Sequence, residues 1–304
     1  MANLSVLIIY EDKKFKIKIE EKITAFVIFI PLCKIFLLRI LYFDFQGKIN
    51  LLYVNIEHRM NIFNQTGRYF ALMFKVFSRP ERHNLYIRQT FNEIENLGLK
   101  SVGIVAVISV FMGGIMTLQV AYNMVNPLLP TTLIGLGNRD SLILEFSSTI
   151  MGLIMAGKIG SNITSEIGSM KVTEQIDSLE IMGVNSAGYL ILPKIIAVVL
   201  MFPLLYILSV FFGILGGLIV GPAVGAVSAA DYLSGVQFGF NPYYVTFSLI
   251  KCVVFGFLIA SIASFFGYTV EGGAFDVGTA STRAVVNTNI LILVSDLILT
   301  QLLL

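Results

Sequence analysis

From Ile195 to Ala230 the chain runs for thirty-six residues without a charged side chain. A transmembrane helix needs about 20 mostly apolar residues to cross roughly 30 Å of hydrocarbon, so this run exceeds one crossing. Composition points the same way. Of 304 residues, 56% are hydrophobic and 13% charged, and the mean hydropathy is +0.83; a soluble domain carries about 25% charged residues. Such a chain cannot solvate its own exterior in water, whereas a bilayer accepts it. The net charge of +2 leaves no footprint for nucleic acid. Cys33 and Cys252 lie far apart in apolar surroundings, and His58 and His83 are the only histidines. Neither a disulfide framework nor a metal or histidine-based catalytic centre is expected.

Five spans are expected, at about 101–122, 141–163, 190–220, 244–268 and 284–304, giving an all-α integral membrane protein. Ser101–Tyr122 is the cleanest, with 22 uncharged residues. The second contains Glu145 near its start, the fourth follows Pro242 and contains Lys251, and the last contains Asp296. Lys and Arg collect on the cytoplasmic side of a membrane. Arg79, Arg82, Arg88 and Lys100 precede span one, while Lys158 near the end of span two, Lys171 between the spans and Lys194 near the start of span three gather on one side. The loop after span one has only Arg139, and the loop after span three has none. The alternation places the N-terminus in the cytoplasm, with Arg283 in a last cytoplasmic loop at 269–283.

Ahead of the spans, residues 61–78 are rich in Phe, Tyr, Leu and Met, with Arg68 and Lys75 nearly two turns apart on one face. This predicts an N-terminal interfacial helix in the headgroup plane, the alternative being an ordinary packing helix. Residues 1–59 are rich in Lys, Ile, Phe and Tyr and hold only a poor candidate for a sixth span. Their apolar run, Ile23–Phe43, is broken by Pro31, Lys34 and Arg39.

Between spans two and three the sequence turns polar: AGKIGSNITSEIGSMKVTEQIDSLEIMGVN, residues 156–185. Thr173 is the expected N-cap of a short helix, with Glu174 and Asp177 complementing its dipole. Ile176, Leu179 and Met182 form an apolar stripe, Glu174, Asp177 and Glu180 an acidic one, and Gly183 stops the helix. Periodicity alone allows either a docking element or a solvated connector.

This stretch resembles the signature loop of the MlaE permease family, a core of roughly A-G-[RK]-x-G-[SA]-x-[IL]-x-[AS]-E-[IL]-G-x-M-[RK]-x-T-E-Q-[IL]. The matching residues are Ala156, Gly157, Lys158, Gly160, Ser161, Ile163, Ser165, Glu166, Ile167, Gly168, Met170, Lys171, Thr173, Glu174, Gln175 and Ile176. GLKS at 98–101, LIKCVVFG at 249–256 and STRAVVNTNILILVSDLILT at 281–300 also look like family landmarks. The resemblance covers about residues 60–304 and implies that residues 1–59 are a divergent extension or an upstream-assigned start. It implies the permease of an ABC-type phospholipid transporter in the bacterial inner membrane, working as a homodimer. Its implied partners are an ABC ATPase that binds ATP and Mg, an MCE-domain periplasmic hexamer and a STAS-domain subunit. Residues 164–183 would form a coupling helix docking onto the ATPase, with Glu166, Gly168, Met170, Lys171, Thr173, Glu174, Gln175 and Asp177 as contacts and Arg283 as a second one. The second span departs from the family's R-E-[LF]-G-P-like start: Leu144-Glu145-Phe146-Ser147-Ser148 keeps the glutamate and loses the arginine, glycine and proline.

Ionisable residues inside a membrane are functional candidates by default. Glu145 is expected either to face a lipid cavity or to reach the headgroups. Lys251, near an external end, is expected to snorkel, and Asp296 to make an interhelical hydrogen bond rather than touch substrate. Gln119 and Tyr122 either line a lipid pocket or face lipid. Gly213, Gly216, Gly217 and Gly221 predict tight packing within the protomer. Gly152 to Lys158 matches half of a phosphate-binding loop, but Ile159 replaces the Ser/Thr and the intervening residues are apolar, so no ATP site is expected in this chain. The competing functional reading is an ion-coupled secondary transporter of a lipid-like substrate using Glu145 or Asp296. A membrane enzyme ranks behind it, for want of a catalytic constellation.

Overall fold

The computed structural model describes residues 64–78, 83–124 and 130–303. Residues 1–59, the first three of the predicted surface helix and the final residue of the last predicted span lie outside these. The chain divides into Met1–Thr66 and Gly67–Leu304, and every candidate span belongs to the second unit.

The described residues form α1 (64–78), α2 (83–123), α3 (Thr132–Val172), α4 (Gln175–Ile181), α5 (Ser186–Ala223), α6 (Ala229–Gln237), α7 (Pro242–Tyr268) and α8 (Ala274–Leu303). The five predicted spans correspond to α2, α3, α5, α7 and α8, each long and apolar enough to cross a membrane. All extend beyond the windows read from hydropathy, because their polar ends continue as helix. A helix satisfies its own backbone groups wherever it runs, so charge does not end it. Arg283 accordingly sits in the third turn of α8, not in a loop; the last connection is only 269–273. Arg139 likewise belongs to α3 and is buried. The half phosphate-loop, Gly152–Lys158, is helical.

The antiparallel run of spans defines a proximal end, bearing the 173–185 connection, and a distal end, bearing α6. The α2–α5 seam is the most intimate. A Cβ on Gly113 would lie 1.8 Å from the Gly213 carbonyl oxygen, and one on Gly216 would lie 2.0 Å from that of Val110. The Ser109 and Ser209 hydroxyls join across the same seam at 2.8 Å. Gly217 leaves room for Tyr232, Thr117 and Asn138, and Asn138 donates to the Tyr232 hydroxyl at 2.7 Å. The glycine-rich face thus packs within the protomer, as its spacing predicts. At the distal end Arg139 donates to the carbonyls of Val236 and Phe238 at 2.8 and 2.7 Å, holding the end of α6 against the start of α3.

In α1, Tyr69, Leu72, Met73 and Val76 share one face by i, i+3, i+4, i+7 spacing. The last three are buried, and Tyr69 donates to Ser261 at 3.0 Å. Phe70, Phe74 and Phe77 stay exposed. Arg68 and Lys75 flank the buried stripe and reach Glu271 and Glu180 at 3.8 and 2.9 Å.

Candidate functional site

The polar segment between α3 and α5 is shaped by two backbone reversals. α3 ends at Val172, where the Thr173 hydroxyl donates back to the Ser169 carbonyl at 2.9 Å. Thr173 therefore closes the helix before it instead of capping the one after. The turn is completed by Glu174 in the left-handed region, φ 59°, which costs a residue with a side chain about 1–2 kcal/mol. After α4, Gly183 takes φ 79° without that cost. Asn185 then caps α5 by accepting from the Gly188 amide. The apolar stripe is only partly used: Ile176 is buried and Leu179 half-buried, while Ile181 and Met182 are 88% and 68% exposed. Beside them a groove of about 340 Å³ is lined by Met170, Gln175, Ile176, Ser178, Leu179, Met182, Tyr189 and Leu190.

The residues expected to contact a partner separate into two groups. Glu174, Gln175 and Asp177 present an exposed polar face, with Lys171 paired to Asp177 at 2.7 Å and Gln175 donating to the Thr173 hydroxyl at 3.0 Å. Met170 lines the groove. Glu166 and Gly168 look inward: Gly168 packs on Val270 and Val277, and Glu166 pairs with Lys194 at 2.8 Å. Arg283 is exposed on α8.

Lys194, a loop charge by sequence, is 2% exposed inside α5 and bridges Glu166 of α3 and Glu93 of α2, the latter at 2.6 Å. Hydropathy gave no sign of it, since Glu93 and Glu166 stand beyond the apolar windows and Lys194 at the edge of one. Charge placement did hold a clue, because Lys194 is followed by thirty-six uncharged residues.

A second lysine occupies the distal half. Lys251 does not snorkel. It is 0% exposed, within 2.9 Å of Glu145 and 2.7 Å of Asp296, with the Phe247 ring 4.6 Å away. Glu145 thus has a cation despite the missing arginine, supplied from α7. Asp296 makes its expected interhelical contact: the Thr149 hydroxyl lies 3.1 Å from Asp296 Oδ2 and 3.2 Å from Glu145 Oε2. That hydroxyl has one proton and serves one carboxylate at a time. Glu145 lies in a π-helical stretch of α3, Leu142–Ile150, a widening common at functional sites. Gln119 is exposed and Tyr122 is 85% exposed on the surface of α2. Among the described residues, a small cavity is bordered by Val105, Met112, Leu142, Phe146 and Ser147 among others, from α2, α3 and α5.

A multi-pass helical membrane protein with buried charge inside its bundle and a short, exposed acidic helix on one connection has the make-up of a transport subunit. The family comparison makes this specific. A family model described as Permease MlaE matches residues 90–302, and the chain belongs to that family. A probable ABC transporter permease protein of Rickettsia bellii is 35% identical over 236 residues, covering 78% of this chain and 91% of the relative. The intermembrane phospholipid transport system permease protein MlaE of Haemophilus influenzae is 31% identical over 242 residues, 79% and 92% of the two chains. The chloroplastic protein trigalactosyldiacylglycerol 1 of Arabidopsis thaliana is 30% identical over 233 residues, 75% and 65% of the two.

Proposed function

We propose that this chain is the membrane-spanning subunit of an ABC-type transporter that moves phospholipids between the inner and outer membranes. It sits in the inner membrane with its N-terminus in the cytoplasm and works as a homodimer. A separate ATPase, holding ATP and Mg, docks on α4. An MCE-domain hexamer on the periplasmic side and a STAS-domain subunit complete the assembly. In this reading α1 lies in the headgroup plane, its exposed Phe70, Phe74 and Phe77 entering the lipid. Lipid reaches the dimer along faces that include Gln119, Tyr122 and the neighbourhood of Glu145.

The observation that carries the reading is α4 itself, a short helix whose Glu174, Gln175 and Asp177 face and Ile181–Met182 tip are exposed beside a groove. Family membership, with the similarity to a phospholipid permease, supplies the substrate class. The test is co-purification of the ATPase with the wild-type permease and with Glu174→Lys and Asp177→Lys. Loss of the ATPase from both variants is expected, and retained binding with normal lipid transfer would overturn the reading. Mass spectrometry of the purified dimer should find bound phospholipid.

A second reading is favoured by one observation, the Glu145–Lys251–Asp296 cluster built around a fully buried lysine, which could couple transport to an ion gradient. It predicts lipid movement driven by a proton or sodium gradient with no ATPase present.

A further inference from the structure

Glu180 stands apart from the rest of α4. Three donors from three other elements converge on its Oε1: Lys75 Nζ of α1 at 2.9 Å, the Ser186 hydroxyl at the start of α5 at 2.9 Å, and the Tyr268 hydroxyl at the end of α7 at 3.0 Å. The two hydroxyls lie 2.9 Å from each other, and Asn185 donates to the Lys75 carbonyl at 3.0 Å. A half-exposed ion pair alone holds little. Three donors meeting on one ionised oxygen, one of them charged, fix a single arrangement. These bonds hold the Glu180 carboxyl far below the usual range, at about 2, the Lys75 contact contributing most, so it is ionised throughout the neutral range.

The remaining attachments of α4 are few. Left-handed residues, Glu174 and Gly183, stand on either side of it, and its inward contacts are the buried Ile176 and the half-buried Leu179, helped by the Lys171–Asp177 pair. A force on its acidic face would swing a short helix so mounted, unless something ties it to the body of the protein.

We propose that Glu180 is that tie: a positioning residue that clasps α4 to α1, α5 and α7, so that α4 and the surface helix α1 move as one body. The proposal rests on α4 being the ATPase contact, and it assigns the transmission of the stroke to a residue outside the contact face. Motion at α4 then reaches the exposed phenylalanine face of α1 through Lys75 without first passing through the spans.

The experiment uses the full complex in proteoliposomes and reads three quantities: ATPase retained, ATP hydrolysed, and phospholipid moved per ATP. Glu180→Gln and Lys75→Met should retain the ATPase while lipid moved per ATP falls at least fivefold. The exchanged pair, Lys75→Glu with Glu180→Lys, should recover at least half of the loss. A merely structural role would lower the amount of complex and leave the ratio per ATP unchanged. An unchanged ratio in the single variants overturns the proposal, as does loss of the ATPase from them. Should Glu180→Gln fail to accumulate, Lys75→Met carries the test with the same threshold, since Lys75 is half-exposed and outside the core. Failure of the parent reading looks different: the ATPase would then stay bound to Asp177→Lys.

Discussion

The proximal and distal halves of the bundle each hold a buried lysine between two carboxylates, yet the two clusters bind different things together. Lys194 joins α5 to α3 and α2. Its partner Glu166 precedes α4 and Lys194 follows it, so the pair fastens both feet of one connection. Lys251 joins α7 to the next span, α8, and to Glu145 of α3, 106 residues earlier in the chain, and its carboxylates also take contacts from Thr149 and Thr300. The first cluster sets the stance of a local segment, while the second closes the bundle. Both draw a carboxylate from α3, Glu145 and Glu166, twenty-one residues apart. At about 1.5 Å per residue that is roughly 30 Å, the thickness of the hydrocarbon, which places one cluster near each interface.

Removing the cation separates the two most sharply. Lys251→Met leaves the largely buried Asp296 beside the half-exposed Glu145 with no counter-charge; breaking a fully buried pair from one side costs about 3–5 kcal/mol, and the exposure of Glu145 places this loss toward the lower end. We expect poor accumulation and the largest fall in the melting temperature of the detergent-solubilised protein. Lys194→Met should cost less, about 2–3 kcal/mol, because Lys194 meets two carboxylates only, whereas Lys251 also meets the Leu144 carbonyl and the Phe247 ring. Its particular mark should be faster proteolysis within 173–185. If Lys194→Met proves the more damaging, the assignment of bundle closure to Lys251 is wrong. Thr149→Val removes only the shared hydroxyl and should cost about 1 kcal/mol, read as a small shift in melting temperature with α4 unaffected.

The smallest effect is a pH dependence confined to the proximal end. Glu180 titrates at about 2 in the folded protein against an ordinary 4.5. Its contribution is therefore complete above pH 4.5 and is lost as pH falls through about 2. With both partners half-exposed it amounts to less than about 1 kcal/mol. Proteolysis of 173–185 should be flat from pH 8 to pH 5, and Glu180→Gln should be cleaved faster across that range. A rise in cleavage of the parent between pH 8 and pH 6 would assign the titration to another group.

The number of spans, the place of the polar connection, its stop at Gly183 and the packing role of the glycines were legible because each depends on neighbours in sequence. Lys194 and Lys251 were misjudged for the converse reason. Their carboxylates lie 28 to 106 residues away in the chain, and hydropathy reports that a charge is costly without reporting where its partner stands. Glu180 shows the same limit from another side. Its acidic stripe was visible, but nothing local distinguishes a carboxylate turned inward onto Lys75 from its neighbours facing out. Thr173 failed for a subtler reason: a hydroxyl at a helix boundary can close the preceding helix or open the next, and the left-handed Glu174 beside it decides.

The glycine seam between α2 and α5 has a consequence for how the protomer can change outline. Where backbone touches backbone, no side chains remain to rotate past one another, so the seam offers no set of alternative packings between which to switch. The two helices behave as one double-width stave. Any rearrangement during a working cycle has to be found along edges where side chains mediate contact. The loosest of these belongs to α8, whose most apolar stretch is only 11% buried.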